Sequence, residues 1–285
     1  MNIKASQVKE LRDRTGVAMM DCKKALVECE GNIEKALDFL RSNSALKAEK
    51  KSSRIAADGM LITSINDDYA TIVELNSETD FAAKDSNFLS FGEKIKEFIS
   101  NVKVTDASSF LDSSLEEERK SLIQTIGENI QIRRVVTLEY DSDMSIGMYL
   151  HSDTKLGSIV VVKNGNDLIA KDIAMHVSAF NPLCISQEDI DHDALERETA
   201  IYRNQAIDSG KPKEIMDKMV EGKVKRFLSE VSLLSQAFVK DSEITVSEYL
   251  EKDNASVVSF ARLKVGEGIE VETKDFAEEV AEQLK

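Results

Sequence analysis

The most unusual combination of residue types in the chain surrounds one aromatic side chain. Residues 77–85 read SETDFAAKD and separate a predicted strand from a predicted helix. Phe81 is a large apolar residue in this connection, with Asp80 before it and two alanines after it. Phe81 could fold back onto the core, which composition alone favours, or it could be an exposed anchor for a partner. A third interpretation makes Asp80 a general base, although the sequence offers no neighbouring group that would prepare it for proton transfer.

The other chemistry-bearing residues do not form an enzyme signature. The sequence lacks the motifs of phosphate-binding loops, serine hydrolases and zinc proteases, and it has no CxxC pair. His151, His176 and His192 are scattered, and His176 is predicted to be a core histidine with its hydrogen bonds satisfied. Cys22 and Cys29 lie seven residues apart and are predicted to fill a small helical core. We therefore expect a protein that is not an enzyme, with no catalytic residue, no metal site and no cofactor.

The charge is distributed unevenly along the chain. The sequence has 37 Lys and Arg against 52 Asp and Glu, a net charge of −15. Residues 1–54 hold 12 basic and 8 acidic residues, a net of +4, so the remainder carries −19. Direct binding to nucleic acid is not expected, because it requires a basic surface. No apolar run approaches 18 residues, the start lacks the apolar stretch of a signal peptide, and the 3 cysteines suit a reducing compartment. These features predict no membrane association and a cytoplasmic location.

The first forty residues predict three short helices. Ser6 is placed to cap the first helix, Gly16 to end it, and Asn32 to cap the third. The polar, basic run at 41–54 predicts a linker, partly helical in one interpretation. A bundle of this size is marginal on its own, which indicates a docking module.

The pattern then changes to strands and longer helices. The predicted elements are a hairpin at 59–65 and 69–75, helices from Ser86 and at 115–126, and a strand at 130–140. The same order recurs with strands at 147–151 and 159–163 and a helix at 168–180. This recurrence predicts an α+β fold with two related subdomains.

A charged segment at about 191–232 predicts two antiparallel helices, with Pro212 starting the second. This helical hairpin would protrude and pair with another chain, or it would pack back on its own domain; both remain open. Thr245 and Glu248 form a capping box, a strand follows at 257–263, and Phe276 and Val280 belong to a predicted terminal helix.

Four blocks of sequence resemble the elongation factor Ts family. They stand in family order over almost the whole chain, and the first two are highly specific. Val17-Ala18 and Ala82 depart modestly from the family pattern. The blocks are Leu11-Arg12 with Thr15-Gly16 and Met19-Met20-Asp21-Cys22-Lys23-Lys24-Ala25-Leu26; Glu78-Thr79-Asp80-Phe81 with Ala83-Lys84-Asp85; Glu221-Gly222-Lys223 through Leu233-Leu234-Ser235-Gln236-Ala237-Phe238-Val239; and Val265-Gly266-Glu267-Gly268-Ile269-Glu270.

The resemblance implies a domain plan. Residues 1–54 would be a docking module similar to ubiquitin-associated domains, with its linker. Residues 55–142 and 143–264 would be the two core subdomains, the second carrying the helical hairpin at about 191–232. Residues 265–285 would form a C-terminal helical module.

The resemblance also implies a function, namely guanine nucleotide exchange on elongation factor Tu during translation elongation. The chain would bind the GDP-bound and nucleotide-free partner, and Phe81 would wedge between two helices near the partner's magnesium and phosphate site. The implied partner contacts are Thr79, Asp80 and Phe81 for nucleotide release, Arg12, Met19 and Met20 in the N-terminal module, and His151 and Gly157 in the second subdomain.

Two other functions stay open at this point. A non-catalytic scaffold would self-associate through the helical hairpin and leave Phe81 buried. An accessory protein that binds nucleic acid would use the basic N-terminal module. Release of GDP from elongation factor Tu separates both from an exchange factor.

Overall fold

A computed structural model of the chain describes residues 3–270. Runs of helices and runs of strands follow one another along the chain, which confirms the predicted α+β class. Among these residues no helix is long and apolar enough to cross a membrane. The predicted C-terminal module is described only as far as residue 270, and the helix expected around Phe276 and Val280 lies outside the described residues.

The described residues divide into two compact units. The first comprises residues 3–64, 73–136 and 264–270, and the second comprises residues 65–72 and 137–263. The predicted boundaries at residues 54, 142 and 264 divide the chain more finely and stay predictions.

The first unit combines three N-terminal helices with most of a three-stranded sheet and the helices that cover it. The strand order is β1-β2-β3, and the central strand β2 is buried along its whole length. One core cluster joins Phe88 and Ile95 of α5 and Ile123 of α6 to Val73 of the sheet. The elements are α1 (Ala5–Thr15), α2 (Met19–Glu28), α3 (Ile33–Lys51), β1 (Asp58–Ile65), β2 (Tyr69–Ser77), α4 (Asp80–Ala83), α5 (Ser86–Asn101), α6 (Ser114–Ile126) and β3 (Gln131–Glu139).

The caps of the N-terminal helices follow the sequence with one exception. Gly16 has a left-handed φ of 68° and ends α1, and the side chain of Asn32 caps α3, both as predicted. The prediction that Ser6 caps α1 is wrong, because Lys4 is the N-cap residue. The side chain of Gln7 reaches back and accepts the Lys4 N–H at 3.2 Å, which allows the helix to begin before Ser6.

The basic run at 41–54 is not an extended linker, because α3 continues to Lys51. Ser44 and Ala48 are buried on the side of α3 that packs along α6. Small residues at i and i+4 form a narrow helix face. Because basic residues surround this face, the composition of residues 41–54 did not indicate a buried helix. Lys51 also donates a hydrogen bond to the carbonyl of Gly127, just after α6. Helix α3 therefore packs against α2 of the N-terminal module and also against α6 of the same unit.

The second unit is built on a sheet with strand order β4-β5-β8. β4 and β5 are antiparallel, with Gly147 opposite Val160. A Cβ at Gly147 would lie 2.0 Å from the carbonyl of Ala170, so glycine is required where α7 crosses the strand. The elements are β4 (Met144–Leu150), β5 (Leu156–Lys163), α7 (Asp167–Phe180), α8 (His192–Asp208), α9 (Lys213–Val231), β6 (Ala237–Phe238), β7 (Asp241–Thr245), α10 (Val246–Glu251) and β8 (Ser256–Lys264).

Helices α8 and α9 form the predicted helical hairpin and pack on each other. Pro212 is the residue that precedes α9, as expected. Ala206 is the one buried residue of α8, and α9 has none. Tyr202 packs edge-on against Phe227, with ring centroids 6.5 Å apart. The two helices therefore bury few side chains between them, which agrees with the sparse apolar stripe of α8.

His176 of α7 is a core histidine, as predicted. It is fully buried, its Nε2 pairs with Gln236 Oε1 at 2.9 Å, and its Nδ1 accepts the Val239 N–H at 3.1 Å. Its ring also stacks on Phe180 at 4.7 Å. Burial lowers the pKa of His176, so the neutral ring is favoured. Both ring nitrogens are therefore hydrogen-bonded inside the core.

Candidate partner-binding site

Phe81 lies on a single helical turn, α4, between β2 and α5. It exposes 81% of its surface, whereas the adjacent Ala82 is buried. The interpretation that Phe81 folds into the core is therefore wrong. The small Ala82 faces inward in its place, and the bulky ring points into solvent.

The turn is held from outside by a carboxylate that the sequence did not identify. The Thr79 N–H donates to Glu128 Oε2 at 2.9 Å, and the Thr79 hydroxyl donates to Glu128 Oε1 at 2.7 Å. The same hydroxyl accepts the Ala82 N–H at 3.2 Å and so caps α4. Thr79 is thus both the N-cap of the turn and its point of attachment to the loop after α6.

A second set of bonds joins the same two segments. The Asn129 N–H donates to Glu78 Oε1 at 2.6 Å. The Asn129 side chain donates to the carbonyl of Arg54 at 2.8 Å, and the Arg54 guanidinium lies 3.5 Å from Glu78. Ser77 donates to the Thr79 carbonyl at 2.9 Å. The base of the turn is therefore fixed on both sides.

Asp80 is engaged within the turn. Its Oδ2 lies 2.7 Å from Lys84 Nζ, one helical turn later, and this contact raises the pKa of Lys84. Both side chains are well exposed, so the pair adds little to stability. The role predicted for Asp80 at the partner stays a prediction.

Arg12, Met19 and Met20 lie where α1 leads into α2. All three are exposed, and Met20 exposes 63% of its surface. Exposed methionines at the start of a helix offer adaptable apolar contact area. Their assignment to a partner contact stays a prediction.

His151 and Gly157 flank the turn that joins β4 to β5. His151 is exposed, and its Nδ1 lies 2.9 Å from Asp153 Oδ1. Gly157 is buried and pairs with Leu150, and a Cβ there would lie 3.1 Å from the Tyr149 carbonyl. His151 is thus accessible to a partner, whereas Gly157 serves the packing of the sheet. Neither predicted contact is tested by this geometry.

An open groove of about 810 Å³ lies in the first unit. Its lining contains neither histidine nor cysteine. Lys94 and Glu118 on its wall form an ion pair at 2.5 Å. Throughout residues 3–270, no group of three or more His, Cys, Asp or Glu side chains is placed to hold a metal ion.

Glu128 and Asn129 are the residues that the sequence reasoning missed. They lie about 50 positions from the segment that they hold, and no periodic pattern links such distant partners. The one sequence feature that marks this loop is Gly127. Its left-handed φ of 88° ends α6, and a polar loop follows.

Comparison with known proteins identifies the family of the chain. The family model described as "Elongation factor TS" matches residues 78–267. Elongation factor Ts of Hahella chejuensis is 50% identical over 285 residues, covering 99% of each chain. Elongation factor Ts of Teredinibacter turnerae is 46% identical over 287 residues, covering 100% of this chain and 98% of its own. The chain belongs to the elongation factor Ts family of translation elongation factors.

Proposed function

We propose that the chain is a nucleotide exchange factor that binds elongation factor Tu and speeds GDP release, with Phe81 as the principal exchange-active side chain. The observation that carries this proposal is the Phe81 ring, which exposes 81% of its surface. It stands on a turn that Thr79 bonds to Glu128. Exposed aromatic side chains held in one geometry are typical anchors of interfaces, because little entropy is lost when they bind. The chain supplies binding energy and no covalent chemistry, and it acts in the cytoplasm, where elongation takes place.

Linkage explains how binding alone releases a nucleotide. A factor that binds the nucleotide-free partner better than the GDP-bound partner must weaken GDP binding by the same factor. Phe81 would enter the partner beside its magnesium and phosphate site, and Asp80 would orient the turn. Disturbing those contacts frees GDP, after which GTP fills the site.

The direct test follows release of a fluorescent GDP from purified elongation factor Tu in excess unlabelled nucleotide. We expect a release rate that rises with the concentration of the chain and saturates. A chain that binds the partner without changing this rate at any concentration would be a scaffold. Binding to RNA in preference to elongation factor Tu would favour the nucleic-acid accessory.

We further propose that the N-terminal module, through Arg12, Met19 and Met20, sets affinity and not the maximal rate. Met19→Ala combined with Met20→Ala should raise the concentration for half-maximal acceleration by at least tenfold, because burial of one methionine contributes about 1.5–3 kcal/mol and tenfold corresponds to about 1.4 kcal/mol. A titration of GDP release against factor concentration measures this change. Leu111→Ala, exposed in the first unit outside α1 and α2, is the control and should leave the titration unchanged. An unaltered half-maximal concentration in the double variant would place the docking surface elsewhere.

The helical hairpin is proposed to serve self-association or a peripheral contact, and not nucleotide release. Replacing residues 200–222 by a short turn should leave GDP release per complex nearly unchanged, since almost no side chain of α8 or α9 is buried. Release assays at saturating factor measure the first effect, and analytical ultracentrifugation measures any loss of self-association. A large drop in release with partner binding retained would contradict this prediction.

A further inference from the structure

We propose that Glu128 is a positioning residue for nucleotide exchange, one that fixes the direction in which the Phe81 turn presents its ring. The inference rests on the proposed function and names a residue that has no expected contact with the partner. Its basis is the pair of hydrogen bonds from Thr79 to the two carboxylate oxygens of Glu128, at 2.9 and 2.7 Å.

The turn cannot hold itself. α4 has four residues, and a helix this short is unstable in isolation because the first turn fixes several dihedral angles for one hydrogen bond. Phe81 adds no packing, since its ring is in solvent, and Ala82 is the one buried side chain of α4. The exposed pair of Asp80 and Lys84 contributes little. The base of the turn is fixed through Glu78, and the turn itself is attached to the loop after α6 through Thr79.

Glu128 acts from a fixed base. It is half-buried and lies between Gly127, which ends α6, and Asn129, which is buried. Asn129 is bound to Glu78 and to the carbonyls of the segment after α3. Lys51 of α3 donates to the Gly127 carbonyl. The loop 127–129 is thus tied to the end of β2 and to the end of α3, so its carboxylate has a defined place.

Loss of the carboxylate should therefore reduce the competent fraction of the turn. The Thr79 N–H and hydroxyl would lose charge-assisted hydrogen bonds, which are stronger than neutral ones. A binding-competent conformation that is populated only in part lowers the apparent affinity. If the N-terminal module holds the partner independently of the turn, it also lowers the fraction of saturated complexes that release GDP. We expect Glu128→Ala to lower the maximal rate of GDP release by about tenfold, which corresponds to about 1.4 kcal/mol. Glu128→Gln keeps one acceptor and should lose only about threefold.

A double-mutant cycle with Phe81→Ala separates positioning from a general structural effect. If Glu128 acts only through Phe81, the variant with both substitutions should release GDP no more slowly than Phe81→Ala alone. Glu118→Ala is the matched control, because Glu118 is a glutamate of the same unit that pairs with Lys94 of α5. It should behave as wild type.

Amide hydrogen exchange in the free chain gives a readout that does not need the partner. The amides of residues 78–84 should exchange faster in Glu128→Ala than in wild type or Glu118→Ala, and Glu128→Gln should be intermediate. Unchanged protection of residues 78–84, or effects of Glu128→Ala and Phe81→Ala that add, would overturn the positioning role. Glu128→Gln decides the same question if the alanine variant folds poorly.

The outcomes also separate this inference from the proposed function. Wild-type chain without effect on GDP release, or Phe81→Ala as active as wild type, would reject the proposed function, and amide exchange would still decide whether Glu128 holds the turn. Impaired Phe81→Ala with fully active Glu128→Ala would reject the positioning role alone.

Discussion

Replacing Phe81 by alanine is expected to lower the stimulated release of GDP at least severalfold while leaving the melting temperature nearly constant. Truncation of a central aromatic anchor typically costs about 2 kcal/mol or more of binding, a factor of roughly 30. The ring exposes 81% of its surface in the free chain, so its removal takes almost nothing from the core. Release of fluorescent GDP and thermal unfolding, measured on the same preparation, check both parts.

Phe88 provides the matched control for Phe81. It lies seven residues later, at the start of α5, and it is fully buried. Phe88→Ala should lower the free energy of unfolding by roughly 3–5 kcal/mol, as buried phenylalanines do. Asp80→Ala should reduce GDP release in the same direction as Phe81→Ala but less, since an exposed carboxylate mainly orients the turn. A Phe81→Ala chain that melts early yet exchanges normally at low temperature would contradict the prediction.

A large effect on stability is also expected at Glu74, in the middle of β2. Its side chain is fully buried, with Arg133 Nη1 at 3.2 Å and a hydrogen bond from Arg134 Nε. The Gly266 N–H donates to Glu74 Oε1 at 2.8 Å, and Asn76 donates at 3.0 Å. One carboxylate thus links the central strand, β3 and the segment after β8.

Glu74→Ala is expected to reduce the free energy of unfolding by about 3 kcal/mol. Removal of one partner of a buried ion pair leaves the other charges and donors without compensation. Glu267→Ala is the control, because Glu267 lies 3.6 Å from Arg134 but is exposed, and it should cost less than about 1 kcal/mol. Urea unfolding of the whole chain at pH 7 measures both. Equal losses in the two variants would contradict the burial argument.

The effect of Glu74 should depend on pH in a defined direction. Burial alone would raise its pKa, but the hydrogen bonds from Gly266, Arg134 and Asn76 outweigh burial and leave the pKa lowered. A lowered pKa stabilises the fold above the pKa of the unfolded chain, about 4.3, and this stabilisation is lost as pH falls through the folded pKa. The difference between wild type and Glu74→Ala should therefore shrink below about pH 4. A difference that stays constant from pH 7 to pH 3 would contradict this assignment.

Local chemistry made much of the fold predictable. Gly16 ends α1 and Thr245 caps α10 because a cap needs only residues within one turn of it. The buried face of α5 repeats every three to four residues, which is a pattern that the sequence carries locally. The cap of α1 was predicted wrongly even so. The side chain of Gln7 accepts the Lys4 N–H, and α1 begins before Ser6.

Tertiary structure alone decided the rest, because partners far apart in the chain leave no periodic signal. The sequence marked the Phe81 segment as unusual but left it between core and surface, and its composition favoured the core. The Phe81 ring is exposed because the neighbouring Ala82 is the residue that the fold buries. The bonds from Thr79 to Glu128, which hold this turn, span 49 positions. The bond from Gly266 to Glu74 spans 192 positions. The buried small face of α3 likewise exists only because α6 packs on it, so a run that composition marked as a linker became a helix.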